Sequence, residues 1–257
     1  MKDTIRQILV VLSVLATIIV NFLAVSLPLN GLNTGEISDR FKVYFVPAGY
    51  VFSIWGLIYI GLIAYAIYQA LPSQRENPRL RKTGYLVAAS GLANIAWLFL
   101  WHYEQFPLTL VAMLTLLGLL IAIYLRLDRA NTSVARAETW AVRVPFSIYL
   151  GWITVATVAN VTELLYYLNW NGFGIAPETW MLIVLAAVLA IAVLVSFRQR
   201  DVAYILVILW ALAGIAVKFA SVPAVAIPTW ITFGLVALAL VAAFFLRRPE
   251  KKLEPAG

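Results

Sequence analysis

The sequence predicts an all-α integral membrane protein, on three observations. Of the 257 residues, 63% are hydrophobic and 12% charged, against about 45–50% and about 25% in a soluble domain. The apolar residues fall into eight stretches, each long enough to cross a bilayer core of about 30 Å as a helix rising about 1.5 Å per residue. The basic residues crowd into every second segment between those stretches. A soluble globular enzyme is excluded, because a core of this size would leave large apolar patches exposed. A disordered chain needs the opposite composition. A spanning β-barrel needs period-2 alternation, which these runs lack. The chain has no cysteine and one histidine. That removes disulfide frameworks, thiolate metal sites, cysteine nucleophiles and a polyhistidine metal or haem site. No cofactor is expected.

The spans follow in order. The first, 8–29, comes after Lys2 and Arg6. Ala24-Val25-Ser26 resembles a signal-peptide cleavage site, but the apolar run of about 20 residues is longer than the 7–15 of a leader core, so a retained helix is expected. The second, 50–71, ends at Pro72 and Pro78, residues that break a helix. Pro107 separates the third, 84–101, from the fourth, 108–127. Gly172, Gly174 and Pro177 follow the fifth, 141–165. The sixth, seventh and eighth are 180–197, 202–220 and 224–246. Pro223 and Pro228 both lie at the last boundary, which allows the eighth to start as late as Thr229.

Charge orients these spans. With the N-terminus cytoplasmic, the inner segments carry Lys2, Arg6, Arg75, Arg79, Arg81, Lys82, Arg126, Arg129, Arg136, Arg143, Arg198, Arg200, Arg247, Arg248, Lys251 and Lys252, which is 16 of 19 basic residues. Arg40, Lys42 and Lys218 remain outside. Such a split is the positive-inside signature of eight helices with both termini cytoplasmic, as in a prokaryotic plasma membrane. The basic surplus is therefore topological, and no nucleic-acid partner is expected. Its natural partner is the anionic membrane lipid of the inner leaflet.

The polar and aromatic residues converge at the outer side. Outer loop one, 30–49, is long, and carries Phe41, Tyr44 and Phe45 beside Arg40 and Lys42. It reads either as a segment resting on headgroups or as a lid over a pocket. Phe52, Trp55 and Tyr59 share one face of span two. Ser90, Asn94, Trp97 and Trp101 share one face of span three. Tyr149, Trp152, Ala156, Asn160 and Glu163 share one face of span five. An amide or carboxylate facing lipid is costly, so these stripes should face the bundle interior. Asn and Ser also serve as glue between membrane helices, and Trp and Tyr as belt residues. Three stripes at one depth point instead to an aromatic pocket with few polar groups. His102 and Glu104, in outer loop 102–107, are expected to be solvated, and Lys218 to snorkel. No Gly-rich phosphate loop, carboxylate pair or nucleophile–base set appears, so no enzyme is expected.

The stripes carry a family resemblance. Residues 47–59, PAGYVFSIWGLIY, look like the loop-to-helix segment of the translocator protein / tryptophan-rich sensory protein (TspO/MBR) family, in which a proline-containing turn leads to a Trp-x3-Tyr pair, here Trp55 and Tyr59. Residues 94–101, NIAWLFLW, are similar to its Asn-x-x-Trp element. Residues 149–160, YLGWITVATVAN, resemble its fifth-helix Tyr-x-x-Trp with an Asn eight residues on. Order, helix number and spacing agree over about residues 5–170. The family's Gly-Pro before the first Trp is replaced by Ser53-Ile54, and Pro145 lies four residues before Tyr149. No basic residue follows Tyr166, so the family's cholesterol motif is not reproduced. Spans six to eight have no counterpart in the five-helix family.

The resemblance implies a five-helix bundle over 1–170 and a three-helix extension with a basic tail over 171–257. It implies a membrane sensor that binds an apolar, planar, partly anionic ligand (a porphyrin, haem-like tetrapyrrole or sterol) and is coupled to stress signalling or transport. The ligand-binding residues are then Trp55, Tyr59, Asn94, Trp97, Tyr149, Trp152 and Asn160, with rings stacking on the ligand and amides orienting it. Arg40 or Lys42 would meet a propionate. A homodimer is compatible with this reading. The alternative is a secondary transporter or permease for a small hydrophobic molecule, although neither an internal repeat nor a pair of broken helices is visible.

Overall fold

The structure is a computed structural model that describes residues 2–27, 29–127 and 132–246. Arg129 and the basic tail from Arg247 to Lys252 lie outside the described residues. The α-helices are α1 (Lys2–Ser26), α2 (Thr34–Asp39), α3 (Ile54–Ala70), α4 (Pro78–His102), α5 (Phe106–Arg126), α6 (Arg136–Glu138), α7 (Val144–Tyr167), α8 (Pro177–Gln199), α9 (Val202–Lys218) and α10 (Pro223–Phe245). Among the described residues, seven helical stretches are long and apolar enough to cross a membrane. The eighth apolar helix, α9, has 17 residues, or about 25 Å, at the short end of what spans a bilayer. The protein is an all-α integral membrane protein.

Local chemistry sets several boundaries. Helix α4 starts at Pro78, six residues before the apolar run begins. Asn77 caps it, its side chain accepting from the Arg79 amide, and proline suits a first turn whose N–H groups have no helical partner. Hydropathy does not see this charged turn. Pro228 sits inside α10, so the last helix starts at Pro223 and not at Thr229. A wide π-type turn, Thr139–Arg143, leads into α7, where Pro145 lies in the first turn and has no N–H to leave unpaired.

Helices α1, α4, α5, α7 and α3 pack in that order into a closed ring, each against the next and α3 back against α1. The basic ends of these helices meet at one end of the ring. There Arg81 pairs with Asp3 at 2.7 Å, and Arg79 with Glu138 at 2.5 Å. Gln7 and Gln69 exchange side chain-to-backbone hydrogen bonds of 2.6 and 3.1 Å. Of the last three helices, α9 carries the main packing onto the ring, against α7. Gly151 allows this approach, since a Cβ there would lie 3.1 Å from the Tyr204 carbonyl oxygen. Buried Asp201 caps α9 and fixes it to the ring, accepting from Ser147 at 2.5 Å and Tyr124 at 2.8 Å.

Candidate functional site: an aromatic cavity beneath an outer lid

The segment after α1 folds back across the far end of the ring. It behaves as a lid, because its own Ile37, Phe45, Val46 and Val51 are buried. Helix α2 starts with a capping box in which the Asn33 side chain accepts from the Glu36 amide and Glu36 reaches back to the Asn33 amide, so the lid has rigid structure of its own.

Beneath the lid lies a cavity of about 40 Å³. Lid residues Thr34, Ser38, Val46 and Pro47 form its roof. Its walls are Phe52 and Trp55 of the α3 entry, Asn94, Trp97 and Trp101 of α4, and Trp152, Asn160 and Glu163 of α7. The rings are interlocked. Trp97 stacks on Trp101 at 5.5 Å between centroids. Trp152 meets Phe52 and Trp55 edge-on, at 5.6 and 6.4 Å. Trp55 stacks on Tyr59 at 5.7 Å. Such tilted and offset contacts suit the aromatic quadrupole.

Five of the seven residues expected in the site line the cavity: Trp55, Asn94, Trp97, Trp152 and Asn160. Trp97 and Trp152 both reach it, from α4 and α7. Tyr59 lies behind Trp55, and Tyr149 behind Asn94. The two amides differ. Asn94 is bonded on both sides, accepting from the Asn21 Nδ2 at 2.7 Å and donating to the Tyr149 hydroxyl at 3.1 Å. That makes it a tie between α1, α4 and α7. Asn160 donates to Thr109 at 3.2 Å, while its Oδ1 has no partner. The indole N–H groups of Trp97 and Trp152 are also buried without a partner. An unmatched buried polar group costs about 1–3 kcal/mol, and three such atoms belong to residues lining this one cavity.

Some expectations are corrected. His102 is not solvated: it is fully buried, with ring contacts of 3.0 Å to the Leu29 carbonyl and 3.1 Å to the Thr34 hydroxyl. The lid packs down on it, a contact that only the tertiary fold creates. Arg40 is not available to a propionate, because it pairs with Glu104 at 2.5 Å. Lys42 is exposed and does not line the cavity. Lys218 pairs with Asp39 at 2.8 Å. Trp210 lies outside the cavity, yet its indole donates to the Val51 carbonyl at 3.1 Å. Sequence reading passed over Asn21 and Ser38. Asn21 had a signal, an amide in an otherwise apolar run one turn after Thr17. Ser38 had none, since a loop serine is ordinary.

The lid is held from two sides. The ring contributes Ser38 Oγ to Glu163 Oε1 at 2.5 Å, Trp101 Nε1 to the Thr34 carbonyl at 3.2 Å, and the His102 and Glu104 contacts. Of the last three helices, α9 contributes Lys218 to Asp39 and Trp210 to Val51, and α8 contributes Glu178, which accepts from Tyr44 at 2.7 Å. The carboxylate at this hydrogen bond, with some burial, raises the Tyr44 phenol above its ordinary value. The Ala48 amide also donates to the Gly214 carbonyl at 3.3 Å. A Cβ on Gly214 would collide with Val51.

Fold and site together define a helical membrane protein with a lidded, tryptophan-lined cavity inside a five-helix ring. The family described as TSPO-like protein matches the chain over residues 7–243, and the chain belongs to that family. The match runs through the last three helices as well as the ring. No curated protein and no solved structure matches the chain.

Proposed function

We propose that this protein is a membrane sensor or binding protein for an apolar, planar ligand of the porphyrin, haem-like tetrapyrrole or sterol class, coupled to stress signalling. Membership of the TSPO-like family and the membrane bundle fit a membrane binding protein. The observation that carries the ligand reading is the cavity itself, walled by Phe52, Trp55, Trp97, Trp101 and Trp152, with three unmatched polar atoms inside it. With the chain divided after residue 170, the part before the division supplies the cavity, and α8 and α9 beyond it help hold the lid. The setting is a prokaryotic plasma membrane with both termini cytoplasmic.

At about 40 Å³ the cavity is far below the roughly 300–1,000 Å³ of a site for a drug-sized molecule. A tetrapyrrole therefore enters only when the lid lifts and the rings part, and that movement is the event a sensor can report. Titration of protoporphyrin into detergent-purified protein tests this reading. We expect Trp152→Ala to weaken binding by about tenfold or more, from lost ring contact and lost area. Trp230→Ala, an exposed position on α10, should leave binding unchanged. Equal affinities for the two variants would remove Trp152 from the site.

A further inference from the structure

One wall of the cavity carries an acid and an unmatched acceptor, a pairing that an anionic ligand does not suit. Among the described residues Glu163 is the only ionisable one lining it, and it is 4% exposed. Its Oε1 accepts from Ser38 of the lid at 2.5 Å, and among the described residues its other oxygen has no hydrogen bond. Asn160 stands one turn earlier on the same face of α7, its Oδ1 without a partner. The lid end of the cavity is therefore rich in acceptors.

Nearby cations do not offset this. Lys218 is paired with Asp39 at 2.8 Å, and Arg40 with Glu104 at 2.5 Å. Neither lines the cavity. A ligand carboxylate placed here would share a low-dielectric site with the Glu163 carboxyl, and two carboxyl groups so placed cannot both ionise without strong repulsion. It would also leave both acceptors unmatched. A hydroxyl or ammonium group meets both. The donors lie elsewhere in the cavity, on the indoles of Trp97 and Trp152.

Resting on the ligand reading above, we infer that Glu163 is a specificity-determining residue, and that the ligand group it receives is a hydrogen-bond donor, best a protonated amine, and not a carboxylate. A tetrapyrrole accordingly enters with its propionates directed away from Glu163.

Three planar probes with one ring system and different polar groups test this: pyrenemethylamine, pyrenemethanol and pyrenecarboxylic acid. Each is titrated against the purified full-length protein by tryptophan quenching. The amine should bind at least about tenfold more tightly than the carboxylic acid, with the alcohol between them, since hydrogen bonds to charged groups are the stronger ones. Glu163→Gln should bring the amine and acid to within about threefold of each other. Ser38→Ala loosens the lid but keeps the carboxylate, so it should shift all three probes together and preserve their order. Should Glu163→Gln fail to fold, the wild-type and Ser38→Ala orders decide the matter. An acid that binds as tightly as the amine, or a preference that survives Glu163→Gln, overturns the inference while leaving the ligand reading intact. No saturable binding of any probe overturns both.

Discussion

The lid is held by two regions of different physical character. On the ring side most contacts have a buried member, the exposed Arg40–Glu104 pair apart. Ser38 and Glu163 are both almost closed to solvent, and His102, which meets the half-buried Thr34 and Leu29, is fully buried. On the side of α8 and α9, the polar contacts are part-buried or open: the Lys218 side chain is 26% exposed and that of Asp39 58%. What this side has instead is a tight backbone approach at Gly214. Removing one partner of a buried polar pair leaves the other unmatched and costs about 1–3 kcal/mol. An exposed ion pair contributes about 0–1 kcal/mol. The lesson is that the ring fixes the lid through matched polar groups, and the added helices fix it through shape.

Three substitutions probe that comparison, read as hydrogen exchange of amides 33–53 and as acrylamide quenching of the tryptophans. The largest effect is expected from Gly214→Val. The new side chain must push Val51 away, and overpacking of this kind costs about 1–3 kcal/mol or more. The lid should open and quenching should rise. If Gly214→Val leaves exchange unchanged, the lid does not depend on shape at α9. His102→Ala comes next. It strands the Thr34 hydroxyl and the Leu29 carbonyl, with an expected loss of about 1–3 kcal/mol and faster exchange centred on the start of α2. Protection that persists there would make the buried contacts ornamental. Lys218→Ala should change exchange least, by less than about 1 kcal/mol, and that small effect should shrink further in high salt, where exposed charges are screened. A loss as large as that of His102→Ala would erase the distinction between the two sides.

The glycine result has a counterpart in the ring. Gly151 lets α9 lie against α7, as Gly214 lets the lid lie against α9. Both residues belong to apolar runs in which glycine passes as one more small residue. Their purpose appears only when the facing element is known. Asp201 is similar: it reads as a loop acid between two spans, and the fold makes it a buried cap that accepts from α5 and α7. The stripes were more legible, because a helix repeats every 3.6 residues, and residues at that spacing must share a face. Trp97, Trp152 and Asn160 reach the cavity for that reason. The same periodicity could not separate a ligand group from a tie between helices. Asn94 and Asn160 look alike in sequence, yet Asn94 is bonded on both sides and Asn160 on one.

By itself the sequence determined the class of protein, the number of apolar helices and the faces on which aromatic and amide groups sit. Composition, run length and helical period are local properties, and the bilayer enforces them residue by residue. The tertiary structure alone decided the size of the cavity, the burial of His102 and the pairing of Arg40 with Glu104. It also decided which polar atoms were left unmatched, and that α8 and α9 help hold the lid. Those features depend on groups far apart in the chain, such as Ser38 with Glu163 or Asp39 with Lys218. Nothing in the spacing of residues along one helix says which distant side chain will fold back across it.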